Sequence, residues 1–136
     1  MQIDLYPSRE QIETLLADTS DDPVVMINLL CFKGQSDGDD DLLGSESYAR
    51  YAAPMREIVE GQGGRFLWLG RVDSQVIGSG ADGVDMVALV EYPSRKKFVE
   101  IATSDAVREI GSFREGGLAG QWLLASTTLG GIDAEG

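Results

Sequence analysis

The feature that most constrains this chain is a pair of segments too apolar to be strands with one wet side. Val24 to Phe32 reads VVMINLLCF, and Val84 to Tyr92 reads VDMVALVEY. Both have the length of strands, and both are nearly continuous apolar runs rather than alternating ones. Successive side chains of a strand point to opposite faces, so such a run needs cover on both. The chain's own helices can cover one face. A second copy of the chain is the simplest cover for the other.

The remaining sequence supplies those helices. Pro7-Ser8-Arg9-Glu10-Gln11 predicts a helix start, with Ser8 as N-cap and Gln11 closing a capping box. Ile12, Leu15 and Leu16 give that helix an apolar stripe. After a Gly- and Asp-rich loop from Lys33 to Gly44, Ser45 or Ser47 caps a second helix that runs to about Gln62. Tyr48, Tyr51, Ala52, Met55 and Val59 recur along it at the helical period, and Pro54 within it predicts a kink or a break. Arg65 to Gly78 predicts a strand centred on Phe66-Leu67-Trp68-Leu69, with Gly70 as a candidate bulge. Ser79 to Gly83 is then a hairpin loop. Pro93-Ser94 opens a helix that turns Phe98, Ile101 and Ala102 inward, and Ser104 caps a short one over about Asp105 to Phe113. Gln121 to Leu129, around Trp122-Leu123-Leu124, predicts the last strand.

After the leading helix the order is β-α-β-β-α-β, the ferredoxin-like pattern of an α+β fold with both helical stretches on one face of an antiparallel sheet. One domain over 1–136 is expected, with an N-terminal helical extension over 1–22 and a frayed tail over 130–136. One strand parity (Val25, Ile27, Leu29, Cys31; Met86, Ala88, Val90) is wholly apolar and is expected against the helices, with Tyr92 ending it. The other carries Asn28, Asp85 and Glu91 and is expected to face the partner or a ligand.

Charge and residue usage exclude several functions. Twenty-three acids against 11 bases leave a net charge of −12, which repels phosphate backbones and anionic membranes. Neither nucleic acid nor membrane is an expected partner. No apolar run reaches the roughly 20 residues of a membrane span, and Met1 to Ala17 lacks the layout of a signal peptide. A cytoplasmic location is expected. Cys31 is the single cysteine and histidine is absent. That removes intrachain disulfides, cysteine metal clusters, histidine-based triads and histidine-ligated haem. Catalysis must use carboxylates, tyrosines, lysines, arginines, amides or a bound cofactor; no metal site and no cofactor are expected. Haem would need a tyrosinate or thiolate ligand here.

Three motifs fail on context. Gly78-Ser-Gly80-Ala-Asp-Gly83 matches GxGxxG but joins two strands and opens no helix. Asp37-x-Asp39-x-Asp41 begins like a calcium loop, yet Leu42 stands where glycine is required and Tyr48 where the glutamate belongs. Arg95-Lys96-Lys97 reads as a solvated helix start.

The run Pro23-Val24-Val25-Met26-Ile27-Asn28-Leu29-Leu30-Cys31-Phe32-Lys33 occurs with Tyr48-x-x-Tyr51, Gly63-Gly64-Arg65, Glu91-Tyr92-Pro93-Ser94-Arg95 followed by Phe98, and Arg114-x-x-Gly117-Leu118. Together, from the first helix through the last strand, these resemble the domain of unknown function 1330 family of the dimeric α/β-barrel superfamily. The resemblance implies a ferredoxin-like protomer and a barrel made by two facing sheets. It implies no established activity; the superfamily includes cofactor-free monooxygenases, lactone isomerases and haem enzymes. Phe113 stands where a histidine often precedes the arginine.

The candidate site residues are isolated polar groups on apolar elements. Asn28 interrupts a strand, where its amide either anchors a ligand or pins a neighbouring strand. Glu91, if buried, suits an acid or base; its structural alternative is a pair with Arg114 or Arg71. Arg114 either clamps a carboxylate or caps a helix C-terminus. Tyr48 and Tyr51 share a helix face and either line a pocket or form core with wet tips. Trp68 joins the ligand-binding set, although it and Trp122 read more readily as core or interface anchors, and Cys31 reads as inert packing. The expectation is a homodimer with a small apolar cleft between the sheet and the Tyr48/Tyr51 helix. That cleft would bind a small organic molecule and run cofactor-independent proton transfer, isomerisation or oxidation. The rival is a non-catalytic dimeric binding or stress-associated protein.

Overall fold

The computed structural model describes residues 2–37 and 41–131. Asp39, and with it the middle of the calcium-like run, lies outside the described residues, as do residues 132–136 of the expected tail. The elements are α1 (Arg9–Ala17), β1 (Val24–Phe32), α2 (Gly44–Gly61), β2 (Arg65–Arg71), β3 (Met86–Tyr92), α3 (Arg95–Ala102), α4 (Asp105–Gly117) and β4 (Leu118–Ser126). The four strands form one antiparallel sheet in the order β2-β3-β1-β4. This is the ferredoxin-like arrangement, with α1 added in front and the second helical stretch split into α3 and α4. No helix among the described residues is long and apolar enough to cross a membrane.

The helix starts follow from local chemistry. Ser8 accepts from the Gln11 amide while the Gln11 side chain reaches back to the Ser8 amide, so the predicted capping box is present. Ser94 and Ser104 cap α3 and α4 with their hydroxyls alone, which accept from the Lys97 and Val107 amides. α2 begins at Gly44 rather than after Ser45 or Ser47, with Glu46 accepting from the Leu43 amide. Ser47 turns inward instead: it is buried, and its hydroxyl donates to the Phe113 carbonyl at 3.0 Å. The helix runs through Pro54 without a break. The carbonyl that loses its bond there belongs to exposed Arg50, where solvent can replace it.

The strands depart from expectation in three places. β2 ends at Arg71, and after the Val72–Asp85 backbone bond of 2.9 Å the chain leaves the ladder. Val76 and Ile77 then stand 87% and 89% exposed, with no strand to pair with. The bulge falls at Leu67, between the Phe66–Val90 and Trp68–Leu89 pairs, and not at Gly70. Gly70 has another duty: a Cβ there would come within 2.0 Å of the Trp68 indole, which lies across it. β4 starts at Leu118, because α4 runs directly into it. The glycines make that junction possible, since a Cβ on Gly117 would sit 2.2 Å from the Gly44 carbonyl.

The register corrects the expected faces. Val24 pairs with Tyr92, Met26 with Val90, Asn28 with Ala88 and Leu30 with Met86. Even-numbered residues of both central strands therefore share one face. That face meets the helices, where Val24, Met26, Ala88, Val90 and Tyr92 form one core with Tyr51, Met55, Val59 and Ile101. Val25, Ile27, Leu29 and Cys31 lie on the other face with Val87, Leu89 and Glu91. The expectation had joined the most apolar parity of each strand; antiparallel pairing joins them the other way. Asn28 thus lies beneath the helices, and Glu91 lies on the uncovered face.

Residues before α1 form a strap along β4. Asp4 bridges to Gln121, the Trp122 indole donates to the Gln2 carbonyl at 2.8 Å, and Ile3 packs where Gly120 lacks a side chain.

Candidate functional site

The helix-side face of the sheet carries hydroxyls that the core alone does not require. Tyr51 comes from the third turn of α2, in the inward series Ser47, Tyr51, Met55, Val59, which repeats every fourth residue. Tyr48 lies beside it, with ring centroids 5.4 Å apart. Phe32, at the end of β1, packs on Tyr48 at 5.3 Å. Tyr92 enters from the end of β3 and meets Phe98 of α3 edge-on at 4.9 Å. Tyr51 and Tyr92 are 7% and 6% exposed. Tyr48, Phe32 and Arg114 are half-buried and mark the side open to solvent.

None of the three phenol hydroxyls has a hydrogen-bond partner among the described residues, in a structure where Ser47 and Ser104 each find a carbonyl. Burial raises the pKa of all three above the ordinary tyrosine value. Tyr51 adds to the rise at Tyr48, Arg114 opposes it at Tyr48 and Tyr51, and Tyr51 and then Tyr48 add to it at Tyr92. The three hydroxyls therefore feel one another and stay protonated donors.

Arg114 reaches this group from α4, fixed against α2 by the Ser47–Phe113 bond and by the Gly44–Gly117 contact. Its guanidinium lies 5.2 Å from the Tyr6 ring centroid and donates to the Leu5 carbonyl at 2.6 Å. It makes no ion pair among the described residues. The neighbouring Glu115 is engaged by the Tyr6 hydroxyl.

Asn28 lies on the same face as Tyr92. Its amide donates to the Met26 carbonyl at 3.3 Å and to the Ala88 carbonyl at 3.2 Å, which pins β1 to β3 and leaves its oxygen as an acceptor. Glu91 is apart from all of these. On the uncovered face it accepts from Arg65 at 3.0 Å, rather than pairing with Arg114 or Arg71. Arg71 pairs with Asp73. Trp68 is also on that face, 55% exposed. The structure thus brings Tyr48, Tyr51, Arg114 and Asn28 to the helix side and leaves Glu91 and Trp68 on the other. Sequence reasoning missed Tyr92, Phe32 and Phe98 as members of the cluster. The hydroxyl ending the apolar parity of the third strand was the available signal for Tyr92.

Among the described residues no group of three cysteine or acidic side chains is placed to hold a metal ion. The residues also suit haem poorly, since burial raises the Cys31 thiol as well as the phenols and so disfavours the anionic ligand haem would need. Two surface hollows, of about 270 and 310 Å³, lie elsewhere. One is beside Lys97, Glu100 and Ser104, the other beside Leu16, Asp18 and Lys96.

Residues 41–127 match the model of the family described as domain of unknown function (DUF1330). The match leaves out β1, which belonged to the resemblance read from the sequence. No curated protein matches the chain. Among solved structures it is similar to a protein of unknown function from Rhodopseudomonas palustris, RPA0582, at 26% identity and a TM-score of 0.85, covering 96% of this chain and all of that one. The methylated form of that protein gives the same identity and score over 97% and 99% of the two chains. SnoaB, a cofactor-independent oxygenase from Streptomyces nogalater, shares the fold at 12% identity and a TM-score of 0.53, over 82% of this chain and 97% of its own.

Proposed function

This chain belongs to the domain of unknown function 1330 family, and on that premise we propose that it is a homodimer holding a small organic molecule between α2 and the sheet of each protomer. One observation carries the reading: Tyr48, Tyr51 and Tyr92 gather, on largely buried rings, three phenol hydroxyls that have no hydrogen-bond partner among the described residues and stay protonated donors. A ligand that accepts from the phenols would take over hydrogen bonds that only solvent can otherwise make.

The homodimer rests on the uncovered face. Val25, Ile27, Leu29, Val87 and Leu89 make an apolar surface of two adjacent strands, extended by Trp68 and Leu124. A second copy placed face to face would bury it and close a barrel from the two sheets. Each site would then be backed by its own helices and floored by the shared barrel.

The chemistry suited to such a site is proton transfer, isomerisation or oxidation without a cofactor, run by phenol donors, Arg114 and the Asn28 oxygen. SnoaB is a cofactor-independent oxygenase on this fold, so the architecture is compatible with that class. Glu91 drops out of the proposed acid–base role, because its Arg65 pair is on the far side of the sheet. The same fact favours a second reading, a non-catalytic binding or stress-associated protein, since no carboxylate among the described residues acts on the tyrosines.

Native mass spectrometry of the protein as purified tests the central claim. A dimer is expected, carrying a small adduct that Tyr51→Phe and Tyr92→Phe each deplete. Adduct-free protein whose tyrosine ring resonances ignore a fragment library would refute ligand binding. A monomer at micromolar concentration would refute the assembly. Consumption of the identified adduct under air would separate the enzyme from the binding protein.

A further inference from the structure

β4 is an edge strand, and its outer edge is shaped to hold a short piece of extended chain. Residues 2–6 occupy it. Gln121 donates to the Asp4 carbonyl at 3.0 Å and Asp4 donates back to the Gln121 carbonyl at 3.4 Å, one closed antiparallel pair. On either side of that pair, side chains of the groove take over from the ladder. The Trp122 indole donates to the Gln2 carbonyl and Arg114 to the Leu5 carbonyl. The carbonyls of Gln2, Asp4 and Leu5 are therefore all held, which recognises an extended backbone irrespective of its side chains. Selectivity comes from Gly120. The Ile3 side chain fills the hollow above it, where an added Cβ would meet Ile3 atoms at 2.8 Å. Gly120 pairs with Cys31, so this hollow opens on the uncovered face of the sheet. The strap is joined to the core through a light element: Pro7 and Ser8 lead into α1, and no residue of α1 is buried. Segments with few buried contacts open while the rest of a fold stays closed. A bare edge then pairs with an extended chain that fits it.

We propose that the β4 edge is a strand-binding groove whose occupant is interchangeable between copies: residues 2–6 of one chain seat on β4 of a second, with Ile3 over its Gly120, in place of that chain's own strap. The exchange reproduces every contact of the strap, so its selectivity is that of the groove already formed. A tethered strap competes at an effective concentration on the order of millimolar, and exchange therefore answers crowding of copies or release of the strap. The groove also defines the kind of peptide that fits it, an extended backbone with a branched aliphatic side chain one residue before the paired position. Copies joined in this way meet edge to edge, whereas the proposed dimer meets face to face. Neither contact requires the other, and neither requires a ligand among the tyrosines.

The test is fluorescence anisotropy of a labelled peptide with the sequence of residues 2–6, blocked at both ends and titrated with the full chain. The natural chain is expected to take it up weakly, because its own strap is in the way. Ile3→Asp puts a carboxylate over the apolar hollow and releases the strap, and is expected to bind the peptide about tenfold more tightly or better. Gly120→Val added to that variant fills the hollow and is expected to abolish binding, as is Ile3→Asp made in the peptide instead. Equal affinity of the natural chain and the Ile3→Asp chain, binding by neither, or equal binding of the two peptides would overturn the groove. Should Ile3→Asp fail to fold, amide exchange in the natural chain decides the matter. The Gln121 amide is expected to exchange about tenfold or more faster than the Val90 amide of the sheet centre, and to slow when the peptide is added. A Gln121 amide that exchanges only as fast as Val90, or that ignores the peptide, would make the strap a fixed part of the fold and overturn the exchange.

Discussion

The two faces of the sheet are built from the same strands, yet they have opposite problems. The helix side is covered, with Val24 and Leu30 fully buried, and it is also where Asn28 and three largely buried tyrosine rings lie. The far side is apolar along its centre and has no helix over it among the described residues, and its charged pair, Arg65 with Glu91, sits toward one margin. A protein that wanted only stability would place polar groups on the wet face and none beneath the helices. On the proposed reading each face serves something outside the protomer: the far side a copy of the chain, the covered side a small molecule.

The largest expected effect tests the covered face as core. Leu30→Ala removes a fully buried side chain between β1 and the helices, and should cost about 2–5 kcal/mol in urea denaturation. Leu89→Glu puts a charge at the centre of the far face, where Leu89 pairs with Ile27. It should raise the dimer dissociation constant by about 100-fold, about 2.8 kcal/mol, with the circular dichroism spectrum unchanged. If Leu89→Glu unfolds the protomer instead, the far face is core and the contrast between the two faces collapses.

That contrast was only half legible in the sequence. The apolar runs announced that both faces need cover, and the capping serines placed α1, α3 and α4, because N-cap chemistry is local and a few residues decide it. Assignment of residues to faces failed, since parity within a strand says nothing about which parity of the next strand lies beside it. That depends on register, fixed here by pairs such as Asn28 with Ala88. Glu91 and Asn28 accordingly went to the same face on paper and to opposite faces in the fold. The Tyr48/Tyr51 pair was found because it stands out along one helix face, and Arg114 because it opens the Arg114-x-x-Gly117-Leu118 motif of the family resemblance. Tyr92 and Phe32 come to the cluster from strands distant in sequence, and only the packing of α2 on the sheet joins them.

Smaller effects sharpen the difference between core and site. Tyr92→Phe deletes a hydroxyl that reaches solvent and has no hydrogen-bond partner among the described residues, and should leave the stability of the ligand-free protein within about 0.5 kcal/mol while weakening ligand binding. A loss of stability would mean that the hydroxyl is satisfied within the fold. The same tyrosines set an alkaline limit. Their folded-state constants are raised, so the fold holds their protons more tightly than the unfolded chain does, which releases them near pH 10. Their contribution is complete below that pH and is lost as pH rises through the folded-state values. Phenolate absorbance should therefore lag for three of the four tyrosines until the protein unfolds, and Tyr48→Phe with Tyr92→Phe should flatten the alkaline fall in stability.

Glu91→Gln is the smallest change and bears most directly on the division of labour between the faces. Arg65 is half exposed and approaches a single Glu91 oxygen from its Nε and Nη2 atoms, both at 3.0 Å. Water screens such a pair, and its loss should cost about 0.2–1 kcal/mol. If the site is the tyrosine cluster, the variant binds ligand as the natural chain does, and whatever activity the dimer has persists with the same pH profile. If activity disappears while the fold and dimer remain, a carboxylate on the far face is part of the chemistry. The reacting molecule would then lie inside the barrel between the two sheets, and the tyrosines would be core after all.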